Sequence, residues 1–306
     1  MKNLLKNISA TISQDFPLIA AMPALIWQAA FSIVPLFAMF VYSILGTEHT
    51  KNFLHYFTFD FYSKLFNYTY LKVIVNSLAL AFGTILGCLL FCFTAAYAIV
   101  FFVRRKHQPA YLILMMLPLW TNFIVRIYSW FFLLDKRGVL SMIMVKLGVI
   151  DRSTQFLFNP ITTAIGMIYC YYPFMLLPLY MAMSSIKTDI LEASADLGAD
   201  TLMTLRMLII PSCLSEIVFS SGVIGLMAFG EFAIPQLLGG SKYSFWGSVI
   251  HSLFMNQHDF KTGAAFTFVG LITIGLVCFV VYLLWIMVEW LKHYRCTKSS
   301  IYGEQS

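Results

Sequence analysis

The chain is poor in charge: only 11% of its 306 residues are Asp, Glu, Lys or Arg, where a soluble domain carries about 25%. With 60% hydrophobic residues and a mean hydropathy of +0.80, that scarcity excludes a free soluble enzyme and a disordered scaffold. Its six cysteines form no C-x-x-C pair. Cys88 and Cys92 stand one helical turn apart in an apolar run, Cys170, Cys213 and Cys278 lie in or beside others, and Cys296 falls in the polar tail. That spacing fits neither a metal framework nor a disulfide-stapled secreted domain, so they read as small buried hydrophobes. Phosphate-binding signatures are missing too: there is no Gly-Lys pair, hence no G-x-x-x-x-G-K-S/T loop for ATP. G-x-S-x-G and H-E-x-x-H are absent, which removes the commoner membrane hydrolases and metalloproteases. Twenty bases against fourteen acids give a net charge of +6, but the bases sit in loops and at membrane edges, so no nucleic-acid partner is expected.

What the chain has in quantity is long apolar sequence. A helix crossing the hydrocarbon core needs about 20 residues, and six runs of that order occur, at 18–45, 73–103, 110–134, 161–184, 212–238 and 264–289. They predict an all-α membrane protein of six transmembrane helices, one domain over 1–306, with the lipid bilayer as its surroundings. The first run follows Lys2 and Lys6, but it is too long for a signal peptide and lacks a small-x-small cleavage site, so it is expected as an uncleaved span. Pro109, Pro160 and Pro211 stand near the starts of spans three, four and five, where a missing N–H costs nothing, and Asn159 is placed to cap. Pro118, Pro173, Pro178 and Pro235 fall inside runs and predict bends. Gly83 and Gly87 form a G-x-x-x-G pair suited to close helix packing.

An even number of spans puts both termini on one side. That side would hold ten bases (Lys2, Lys6, Arg104, Arg105, Lys106, Lys187, Arg206, Lys292, Arg295 and Lys298) against nine opposite, so the short Arg104-Arg105-Lys106 connection decides for cytoplasmic termini. Outside, residues 46–72 carry Phe53, Tyr56, Phe57, Phe59, Phe61, Tyr62, Phe66, Tyr68 and Tyr70, the composition of an interfacial segment. A short amphipathic helix is expected near Val139–Leu147. His251 and His258 in the third outer loop have no cysteine or carboxylate cluster beside them, and no metal site is expected.

The loop between spans four and five, 187–211, is too long for a mere connector. Thr188 or Asp189 can cap a helix holding Glu192 in its first turn, Gly198 stops it, and a second short helix runs from about Asp200 to Pro211. The loop resembles the permease subunits of binding-protein-dependent ABC importers, whose cytosolic pattern is E-A-A, three residues, G, nine residues, I-x-L-P. Here Glu192-Ala193-Ser194, Gly198 and Leu208-Ile209-Ile210-Pro211 keep that spacing, with Ser for the second Ala, Leu for Ile and Ile for Leu. A finer resemblance covers most of the chain. Leu117-Pro118-Leu119-Trp120-Thr121-Asn122, Arg126-Ile127-Tyr128-Ser129-Trp130, Tyr171 to Tyr180, and Gly230-Glu231-Phe232-Ala233-Ile234-Pro235 to Gly240 are similar to the spermidine/putrescine permeases of the PotB and PotH type.

The resemblance implies the type I ABC importer permease (MetI-like) fold in a bacterial inner membrane, with alternating access and no catalysis in this chain. It implies three protein partners, a second permease subunit, a cytosolic ATPase dimer that holds the ATP and Mg, and an extracytoplasmic substrate-binding protein, with the lipid bilayer around the chain. Glu192, Ala193, Ser194, Gly198 and Pro211 would form the coupling element that seats in the ATPase. Related importers of ferric iron, thiamine or phosphonates share the architecture, so those cargoes stay open, as does an ATP-independent channel or carrier, which would leave the Glu192–Pro211 pattern unexplained.

Charges at bilayer depth are costly and face a bundle interior or a wet cavity. Glu231, beside Gly230 and near Pro235, is the candidate for attracting a polyamine's ammonium groups, with a structural ion pair as the alternative. Trp120, Tyr128, Trp130, Tyr169 and Tyr172 offer ring faces to a moving cation, or ordinary packing. Arg126 would repel such a cargo and is expected to be structural or gating; Glu216, near the start of span five, likewise.

Overall fold

The computed structural model describes residues 22–45, 58–63, 67–148, 156–240 and 243–303, and every regular element of any length among them is helical. Lys2, Lys6, Phe53, Tyr56, Phe57 and Phe66 lie outside the described residues. Among the described residues four helices are long and apolar enough to cross a membrane: α1 (Met22–Ile44), α2 (Tyr68–Phe102), α6 (Pro160–Ser184) and the Phe260–Leu283 part of α11 (Phe260–Gly303). Two further helix pairs have the length and composition of a span only when each bent pair is taken as one. The first joins α3 (Gln108–Met116) and a 3-10 turn (Leu117–Trp120) to α4 (Phe123–Leu134), with a 92° turn at Thr121–Asn122. The second joins α8 (Thr201–Ser212, with a π turn at Leu205–Ile209) to α9 (Leu214–Gly230) at 62°. Counting each bent pair as one span gives six. The remaining helices are α5 (Val139–Lys146), α7 (Thr188–Asp196) and α10 (Trp246–Met255).

The bends have local causes. Pro118 sits in the 3-10 turn, and Asn122 then opens α4 by accepting from Ile124 N (2.9 Å) and Val125 N (3.4 Å) through Oδ1. Pro173 and Pro178 lie inside α6 without ending it, and its packing among neighbours tolerates them. Asn159 caps that helix by accepting from Ile161 N at 3.1 Å, with Pro160 at its first position. In span five the helix ends at Gly230, and Pro235 opens a separate π turn, Pro235–Gly239.

The chain divides into two compact units. One is Met1–Phe66 with Leu253–Val269; the other is Asn67–Ser252 with Gly270–Ser306. In the first, the Ser43 and Tyr62 hydroxyls meet at 2.8 Å and Phe40 stacks edge-on against Phe268 at 5.1 Å. α1 otherwise turns an apolar, exposed surface outward, as a lipid-facing helix must.

The second unit is built on α2, α6 and α9, which pack on one another. Without water in the bilayer there is no hydrophobic drive between helices, so close packing carries the association. Gly87 supplies it: a Cβ there would stand 2.2 Å from Ile168 Cδ1 on α6. At Gly83 nothing lies within 4 Å, so only one glycine of the pair makes the contact. Cys88 and Cys92 fill the same seam, fully buried, and the Cys92 thiol donates to the Tyr172 carbonyl at 3.2 Å. Cys170 and Cys213 are buried free thiols as well, whereas Cys278 is exposed.

Candidate translocation site and docking turn

Glu231 occupies the break after α9, in an extended conformation (φ −68°, ψ 132°). That conformation turns its side chain back on the chain that follows: Oε1 accepts from Phe232 N at 3.0 Å and Ala233 N at 2.8 Å, the donors that the next short turn leaves unpaired. Oε2 accepts from the Tyr171 hydroxyl of α6. The half-buried carboxylate thus spends three acceptor positions on its own fold, leaving about one of its four lone-pair sites for another donor. α10 closes against the break at Gly247, where a Cβ would come within 2.5 Å of the Gly230 carbonyl oxygen. His251 of α10 lays its ring on Phe232, centroids 4.7 Å apart and 12° from parallel.

Adjacent Tyr172 points elsewhere. One residue turns the helix by about 100°, and its hydroxyl donates to the Met115 carbonyl of α3 while its ring meets Phe91 of α2 edge-on at 5.3 Å. Tyr172 is buried and braces three helices.

Arg126, 7% exposed, lies in the first turns of α4. It donates through Nη2 to the Thr121 carbonyl (3.1 Å) and through Nη1 to the Cys170 carbonyl (3.5 Å). A cavity of about 350 Å³ opens beside it, walled by Thr121, Val125, Ser129, Trp130, Leu133 and Tyr169. Trp130 and Tyr169 meet there edge to face, 5.4 Å apart. The structure therefore brings Arg126, Trp130 and Tyr169 together, and Glu231 with Tyr171. Trp120 and Tyr128 belong to neither group and stay exposed, at 72% and 44%. Glu216 stands in the first turn of α9, where the helix dipole favours a carboxylate; it is roughly 20 Å of helix from Glu231.

The candidate docking turn is defined by its backbone. Lys187, without a side-chain cap, holds the N-cap position of α7; Thr188 and Asp189 are inside the helix, and Asp189 is the acid of its first turn. Gly198 follows at φ +79°, a left-handed conformation that disfavours any Cβ, and Ala199 N closes the end onto the Ser194 carbonyl at 3.1 Å. Asp200 caps α8 by accepting from Met203 N at 2.7 Å. Ser194 and Thr204 then join the two helices through their hydroxyls at 3.0 Å. Glu192, Ala193 and Pro211 are exposed, and Leu197 is 89% exposed at the tip. Thr204 and Tyr171 are the residues that sequence reasoning passed over; the fixed spacing of Ser194 and Thr204 was visible, but the turn that makes them meet was not.

No family model matches the chain. Among curated proteins it is 33% identical over 256 residues to the spermidine/putrescine transport system permease protein PotB of Escherichia coli (strain K12), covering 83% of this chain and 92% of that one. To the protein of the same name from Haemophilus influenzae it is 30% identical over 271 residues, 89% and 94% of the two chains. A chain of the bacterial alginate ABC transporter, solved in complex with an alginate pentasaccharide-bound periplasmic protein, superposes with a TM-score of 0.71 at 17% identity, over 89% of this chain and 94% of that one. That likeness is one of fold.

Proposed function

The chain belongs to the PotB family of spermidine/putrescine transport permeases, and from that premise we propose that it forms half of the translocation path of an ATP-driven importer of polyamines. A second permease chain supplies the other half, and a cytosolic ATPase dimer binds ATP and Mg. An extracytoplasmic binding protein delivers the cargo. The protein is a multi-pass membrane protein; in this reading it lies in the inner membrane with cytoplasmic termini.

The observation that carries the reading is the exposed helix–turn–helix at 188–212 and its connection to Glu231. Leu197 at its tip, uncovered, suits a groove on another subunit. The loop turns through 62° at Cys213 into α9, and α9 ends at Glu231. α9 is a rigid element packed on α2 and α6, so movement of the docking turn at its start is carried to the Glu231–Tyr171 contact at its end. Tilting α9 against α6 parts the Tyr171 hydroxyl from the carboxylate and frees an acceptor for an ammonium group. The cation then passes a site held weakly enough to release it. Trp120 and Tyr128, with exposed rings, add about 0.5–2 kcal/mol each where a cation passes over them.

Reconstitution with the companion permease, ATPase and binding protein tests the reading. Uptake of labelled spermidine or putrescine that requires ATP, with no uptake of thiamine, phosphonate or ferric iron, is expected. Hydrolysis accompanied by uptake of one of those other solutes would replace the cargo; uptake without the ATPase would overturn the mechanism.

A further inference from the structure

Arg126 carries a charge that nothing among the described residues neutralises. Its guanidinium reaches two main-chain carbonyls, one of them at 3.5 Å, its Nε has no acceptor, and no carboxylate among the described residues pairs with it. Carbonyl dipoles bring no net charge, and a lone guanidinium held out of water is among the costlier burials a fold makes. Yet the side chain is 93% covered and lines the cavity of about 350 Å³ between α4 and α6, where Thr121 and Ser129 add hydroxyls. Residues of α4 that line the cavity are themselves uncovered: Val125 is 61% and Leu133 36% exposed.

We infer that this cavity receives the carboxylate of an Asp or Glu side chain from the companion permease, which pairs with Arg126 across the subunit boundary. The inference rests on the two-permease reading above. A polyamine cargo has no anionic group and is repelled by Arg126. A phospholipid phosphate sits at headgroup level, whereas the sequence neighbours of Arg126 in α4, Ile124, Val125, Ile127 and Tyr128, suit hydrocarbon. A protein side chain is the anion that bilayer depth and charge together select, and the uncovered α4 face is where a second chain can bring it. Buried ion pairs are well suited to fixing register between two elements. Pairing here also cancels the positive charge on this side of α6, so that the carboxylate of Glu231 is left as the unbalanced charge met by a cation.

The test uses the assembled transporter. Arg126→Glu is expected to lower co-purification of the companion at least tenfold, and Arg126→Lys to retain most of it. Among reversals to Arg of the companion's intramembrane acids, one is expected to restore both assembly and uptake to Arg126→Glu. A second readout does not depend on the folding of a charge variant. With Cys278→Ser and Cys296→Ser in place, Ser129→Cys should react with a membrane-permeant maleimide in the lone chain and be protected at least tenfold when the companion is co-expressed. Retention of the companion by Arg126→Glu, or equal labelling of Ser129→Cys with and without it, would overturn the pairing. So would loss of a bound anionic phospholipid from Arg126→Glu while the companion stays attached. If the wild-type chain holds no companion at all, the two-permease reading falls and this pairing with it; survival of assembly in the variants sinks the pairing alone.

Discussion

The Tyr171 hydroxyl donates to the Glu231 carboxylate, joining two helices whose partners stand sixty residues apart in the chain. The bond fixes the broken end of α9 to the middle of α6. It also occupies one oxygen of an acid that stands in the break after α9. A hydrogen bond to a charged group contributes about 1.5–3 kcal/mol, so the variant Tyr171→Phe should shift the balance of states roughly tenfold or more. Expected in the assembled transporter is raised ATP hydrolysis in the absence of binding protein, with expression unchanged; an unaltered basal rate would show that the bond does not restrain α9 against α6.

Glu231 has a second task, as the acceptor for two main-chain donors. Glu231→Gln keeps an oxygen for Phe232 N and Ala233 N, whereas Glu231→Ala removes it. The alanine variant should therefore lose about 1 kcal/mol more than the glutamine variant, the usual worth of a helix cap. Thermal unfolding in detergent, comparing the two, reads the difference; equal midpoints would contradict the capping role.

At the docking turn, Gly198 at φ +79° disfavours a side chain. Gly198→Ala should cost about 1 kcal/mol locally, weakening ATPase capture in a pull-down while membrane insertion is unchanged. Capture equal to wild type would mean that the turn is not what the ATPase grips.

Ser194 and Thr204 share one hydrogen bond. Ser194→Ala and Thr204→Val should each destabilise by about 0.5–1.5 kcal/mol, and the double variant by little more than either alone. Additive losses would show that the hydroxyls act separately.

The seam of α2 and α6 makes a contrast between two glycines of one motif. Gly87→Val drives a side chain into Ile168 and should cost about 1–3 kcal/mol. Gly83→Ala meets open space and should be neutral or slightly stabilising. Melting temperatures of the two variants check this; similar losses would contradict the packing account.

Much of the fold was readable because bilayer thickness imposes a length that apolar runs reveal directly, and because caps are local: Asn159 before Pro160, and Gly198 after α7, follow from residues a few positions away. The breaks were less legible. Pro235 pointed to a kink in span five, but the helix stops at Gly230, since Glu231 can cap the following turn and Gly247 admits α10 against the break. Those contacts are tertiary. Pro173 and Pro178 stand within α6 without ending it, and its neighbours α2 and α9 are where the freed carbonyls find support. The site itself was half visible: Glu231 and Arg126 stand out as charges in apolar sequence, but which of two adjacent tyrosines meets Glu231 depends on the rotation of α6 against α9. Tyr171 faces Glu231 and Tyr172 faces α3, a phase that no local pattern encodes.

The most direct measurement is uptake and ATP hydrolysis recorded in the same vesicles, for the wild-type transporter beside Glu231→Gln. With assembly intact, the account predicts that hydrolysis persists in the variant while polyamine uptake falls at least tenfold. Uptake equal to wild type would remove Glu231 from the path and contradict the account at its centre.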